Sequence, residues 1–145
     1  MNTTQIVNDL LQTLEDGREG FAKAAENVKD SDLKTLFQSY SAERAEMIGE
    51  LRRVSPPAAD EAKSTVAGAV HRGWINLKSA LTSGDDHAIL AECERGEDHA
   101  VAKYREALDE ALPEPVRSVV ASQSARVLGV HNKVRELRDF AQAVK

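Results

Sequence analysis

Apolar residues recur at alternating spacings of three and four along five stretches of the chain, the periodicity of a single buried helix face. Val7, Leu10, Leu14, Gly17, Phe21, Ala24 and Val28 mark a first predicted helix, and Asp30-Ser31-Asp32 ends it. It starts at Asn2 or Thr3, with Gln5 three residues beyond Asn2 as in a capping box. Leu33, Phe37, Tyr40, Arg44, Met47, Leu51 and Val54 mark a second helix. Ser55-Pro56-Pro57 stops it, because proline removes a donor and restricts the residue before it. A shorter third helix is predicted to begin between Asp60 and Thr65 and to carry Val66, Val70, Trp74, Leu77 and Leu81. Thr82-Ser83-Gly84 closes it, with Gly84 suited to a left-handed cap. Asp85-Asp86 opens a fourth helix that runs to about Ala111, before Leu112-Pro113-Glu114-Pro115. Val116, Val120, Gln123, Val127, Val130, Val134, Leu137 and Ala141 mark the fifth. No alternating run or hairpin turn signals a strand.

The four long helices each reach roughly 35–43 Å at 1.5 Å per residue. Short connections join the first to the second and the fourth to the fifth, making two antiparallel hairpins. The third helix and its polar linker are long enough to cross between them. The expected fold is all-α: a ferritin-like antiparallel four-helix bundle with an additional helical crossover, in one domain over residues 1–145. A five-helix up-and-down bundle would show nearly the same pattern.

One seam breaks the rule. Leu90, Glu94, Glu97, Val101, Tyr104 and Leu108 keep the helical spacing, yet two successive positions are carboxylates. Buried carboxylates need a cation, a proton or a donor. Arg44 holds a seam position near the middle of the second helix, and its fork can serve two carboxylates. The preferred reading is therefore a buried ion-pair network of Arg44, Glu94 and Glu97, with Gln123 completing it. The alternative is a carboxylate-rich site for a divalent metal ion, drawn from Glu19 (or Asp16), Glu43, Glu46, Glu94, Glu97 and His131. A di-iron bundle needs Glu-x-x-His on two helices. Here Gly68, Gly84, Gly96 and Leu128 stand three residues before the four histidines. No cofactor is expected on the preferred reading.

Composition narrows function further. Net charge is −5, so no basic footprint for nucleic acid or an anionic membrane exists. No apolar run approaches a membrane span, and the first residues do not read as a secretory leader. One cysteine, Cys93, excludes an internal disulfide framework and reads as a small buried hydrophobe. A cytoplasmic protein is expected. No nucleophile elbow or phosphate loop appears, and the missing Glu-x-x-His pairs favour a non-catalytic role over an oxidoreductase. Ile6 and Leu11 flank the first seam and offer a face for a homodimer or a protein partner. His71 and Arg72 beside Trp74 offer a small-ligand pocket, although a core anchor is the simpler role for Trp74. Seven of eight glycines fall inside predicted helices, where close approach of a large neighbour such as Trp74 explains them best.

Three segments carry a resemblance. They are Val66-Ala67-Gly68-Ala69-Val70-His71-Arg72-Gly73-Trp74 with Leu81-Thr82-Ser83-Gly84-Asp85-Asp86, Glu92-Cys93-Glu94-Arg95-Gly96-Glu97-Asp98, and Asp16-Gly17-Arg18-Glu19-Gly20-Phe21. Over nearly its whole length the chain resembles the bacterial ferritin-like bundles of domain-of-unknown-function family 2383. The resemblance implies a ferritin-like fold in a bacterial protein. It implies no activity.

Overall fold

Asn2 caps the first helix as the sequence requires: its side chain accepts from the Gln5 amide, and the Gln5 side chain accepts from the Asn2 amide. The computed structural model describes residues 2–56 and 73–143. Every regular element among them is a helix: α1 (Thr3–Asn27), α2 (Ser31–Val54), α3 (Leu77–Thr82), α4 (Asp86–Leu108) and α5 (Val116–Ala143). Asp30 caps α2 by accepting from the amides of Asp32 and Leu33. Asp85 caps α4 through the His87 amide. Gly84 adopts the left-handed conformation expected of it, at φ 71°.

Antiparallel order follows from which residues meet. Along α1 and α4, Asp9 pairs with Lys103, Gly20 and Gly96 face one tryptophan, and the Lys29 amide reaches Asp86. Along α2 and α5, Glu50 meets Arg126. Each hairpin, α1–α2 and α4–α5, is itself antiparallel. The end of α2 therefore lies at the opposite end of the bundle from the start of α4. That placement of the described ends is the one two hairpins joined by a crossover require.

The crossover corrects one expectation. The apolar spacing predicts one continuous helix from the Asp60–Thr65 region to Leu81. The start, with Val66, Val70, His71 and Arg72, lies outside the described residues. Of the rest, only Leu77–Thr82 is helical. Trp74 and Asn76 are non-helical because two tertiary contacts outweigh local propensity. The indole is clamped between α1 and α4, and the Asn76 amide donates to Glu92 Oε2 at 2.8 Å.

Two apolar clusters fill the bundle. One holds Leu10, Leu14, Met47, Leu51, Tyr104 and Val120, and the other holds Phe21, Phe37, Trp74, Leu90, Cys93 and Val134. Burying each large apolar side chain contributes about 1.5–3 kcal/mol. Ile6 and Leu11, expected to offer a dimer face, are buried within the first cluster. The apolar stripe of α1 is wide because α1 packs against both α2 and α4.

Candidate functional site

Between the two clusters lies one polar layer. Arg44 on α2 donates from Nη1 to Glu97 Oε1 at 2.8 Å and from Nη2 to Glu97 Oε2 at 2.5 Å. Both side chains are almost wholly buried, at 1% and 0% exposed. Two parallel bonds match the fork to the carboxylate. The Phe21 ring lies 5.6 Å from the guanidinium carbon and adds a cation–π contact. Gly17 makes room: a Cβ there would sit 2.7 Å from Arg44 Nη1. Burial alone would lower the Arg44 pKa, but the charge and hydrogen bonds of Glu97 outweigh it and hold the pKa above its ordinary value.

The expected network is thus smaller than the sequence suggested. Glu94 pairs instead with Arg138 on α5, at 2.7 Å from Oε1 to Nη1. One turn matters here: residues three apart on a helix sit about 60° from alignment, enough to send Glu97 inward and Glu94 towards α5. Gln123 also has other partners. It donates to the Met47 carbonyl at 2.9 Å and to Glu50 at 3.2 Å, and accepts from the Tyr104 hydroxyl at 2.8 Å. Burial pushes the Tyr104 phenol well up from its ordinary pKa. Asp16, also buried, accepts from Gln12 Nε2 at 3.3 Å.

The six-residue metal set does not assemble. Glu19 is half-buried beside Arg18, which it meets at 3.2 Å. Glu43 is partly buried, and Glu46 is exposed although both share helix α2. Glu97 is committed to Arg44. Only Glu94 and His131 come together, and they do so with a residue the sequence reading passed over, Asp98. One ligand atom from each of Glu94, Asp98 and His131 lies within 4.8 Å of the others. His131 Nε2 is 2.5 Å from Asp98 Oδ1, and Nδ1 is 3.1 Å from Asn132 Oδ1. Asp98 stands four residues after Glu94, the spacing that would have flagged it.

Trp74 is the core anchor expected of it. Its ring is 2% exposed and stacks edge-on to Phe21. Added Cβ atoms at Gly20 and Gly96 would lie 2.6 and 2.2 Å from it, so both glycines exist to admit the indole. Cys93 is buried, and burial pushes its thiol well above the ordinary range. Glu92 is buried too, and burial raises its carboxyl despite the hydrogen bond from the Asn76 amide.

A family model described as domain of unknown function (DUF2383) matches residues 2–110. The chain belongs to that family. No curated protein matches it. The DUF2383 region spans α1 to α4 and so contains Arg44, Glu94, Glu97 and Asp98. It ends before α5, which brings Gln123, His131 and Arg138. No described helix is long and apolar enough to cross a membrane.

Proposed function

We propose that this chain is a non-catalytic, ferritin-like helical bundle of a bacterial cytosol, acting by self-association or by binding a protein partner. One observation carries the reading: the Arg44–Glu97 pair fills the polar layer at the bundle centre. A di-metal site there needs free carboxylates from several helices and histidines spaced to join them. An arginine bonded to both oxygens of Glu97 competes with any cation for that carboxylate and adds positive charge beside it. Exposed apolar side chains lie at Ile75, Leu128 and Phe140. With Ile6 and Leu11 buried, a dimer would use other residues. The alternative reading, a ferritin-like di-metal protein or oxidoreductase, is tested directly. Anaerobic loading with ferrous iron should leave no iron bound at Glu97, and oxygen should then be consumed no faster than by free iron. About two iron atoms per chain, the complement of a di-iron bundle, lost in Glu97→Ala, would replace this function with the di-metal one.

A further inference from the structure

We propose that Glu94, Asp98 and His131 form a mononuclear site for a divalent cation of the zinc class on the α4–α5 face. The site lies off the plugged centre and goes beyond the function proposed above. Glu94 and Asp98 are one turn apart on α4, and His131 comes from the neighbouring α5. Two carboxylates and an imidazole are a recognised donor set, and the imidazole favours zinc-like ions over magnesium or calcium.

Bond lengths of about 2.0–2.2 Å place ligand atoms roughly 3–3.5 Å apart around such an ion. Asp98 Oδ1 and His131 Nε2, 2.5 Å apart, must open by about an ångström to admit the ion, and no separation in the trio exceeds 4.8 Å. Asp98 can supply that movement, since its side chain is 61% exposed. His131 is already held: its side chain is 12% exposed, and Nδ1 faces Asn132 Oδ1. An Nδ1–H donating to that oxygen leaves the Nε2 lone pair for a metal. Nε2 now faces a carboxylate oxygen, Asp98 Oδ1, a contact that a proton on Nε2 fills when no metal is bound. A cation between Nε2 and Asp98 satisfies both.

The second observation concerns Glu94. Its side chain is 11% exposed, and Oε1 is paired with Arg138 Nη1 at 2.7 Å without an aligned hydrogen bond. Arg138 Nη1 is close enough to pair electrostatically with that oxygen but is poorly directed. Arg138 also pairs with Asp139 at 3.1 Å and is about a third exposed. It can leave Glu94 to a metal while keeping Asp139. Arg138 is therefore a competitor for the site and not part of it.

Isothermal titration of the chelator-treated full chain with zinc chloride tests this. One zinc per chain is expected. Asp98→Asn and His131→Ala should each weaken binding at least about tenfold, on the scale of losing a group that holds a metal. Asp98 is exposed, so its variant should keep the wild-type circular dichroism spectrum. Arg138→Gln should tighten binding, and magnesium chloride should bind far more weakly. Heats no larger than dilution, or unchanged zinc affinity in both Asp98→Asn and His131→Ala, would overturn the site. Unchanged affinity in Arg138→Gln would overturn Glu94 as a ligand. The iron test reads Glu97 and this one reads Asp98 and His131, so the two proposals fail separately.

Discussion

Arg44→Ala removes the fork that meets Glu97 and leaves a carboxylate in a layer closed to water. Both side chains are no more than 1% exposed, so solvent cannot take over the lost bonds without opening the bundle. Stranding one partner of such a pair costs about 3–5 kcal/mol. The truncation also leaves a void between the two apolar clusters, which pushes the cost to the upper end. A domain holds about 5–15 kcal/mol in total, so the loss is a large fraction. In a chain of this length it corresponds to a fall in Tm of about 6–20 °C. Urea unfolding followed by far-ultraviolet circular dichroism measures it. Glu97→Ala should cost a similar amount. The double replacement Arg44→Met with Glu97→Leu should lie within about 1–2 kcal/mol of wild type, because no charge remains buried. A loss below about 1 kcal/mol in Arg44→Ala would refute the reasoning, since exposed pairs cost that little. So would a double variant as unstable as the two single losses added together.

Glycine substitutions should split by their surroundings. Gly96→Ala drives a Cβ to 2.2 Å from the Trp74 ring and should cost about 1–3 kcal/mol by overpacking. Gly129→Ala meets nothing within 4 Å and should stabilise by up to about 1 kcal/mol, both read as shifts in urea midpoint. Acid should weaken the α2–α5 contact. Burial alone would raise the Glu50 carboxyl, but bonds from Gln123 and Arg126 overcome it and hold the pKa below the ordinary 4.5. A depressed folded pKa means stability present above the unfolded value and lost as pH falls through the folded one. Glu50→Gln should therefore show a flatter stability profile than wild type below about pH 4.5. An identical profile would show that the pair contributes nothing to acid sensitivity.

The long helices, their breaks and their buried faces were all legible in the chain, because 3/4 spacing, caps and prolines are local signals. Asn2 with Gln5, Asp30, Gly84 and the seam of α1 from Val7 to Val28 behave as that pattern requires. The pairing of Arg44 with a carboxylate on α4 was legible too, since charge on an apolar seam must be met by charge. Which carboxylate it meets was not. Glu94 and Glu97 share one seam by spacing but sit about 60° apart around the helix, and the packing of α5 on that side draws Glu94 to Arg138 and leaves Glu97 for Arg44. The same packing brings His131 to Asp98 across 33 residues, a contact with no local signature. The end of the crossover departs from its local pattern for the converse reason. Its apolar spacing reads as helix through Trp74, yet the indole is held by α1 and α4, and the backbone follows its side chain. Spacing along one helix determines which face is buried. Contacts between helices decide which atoms that face meets, because they depend on rotation and register that no single segment contains.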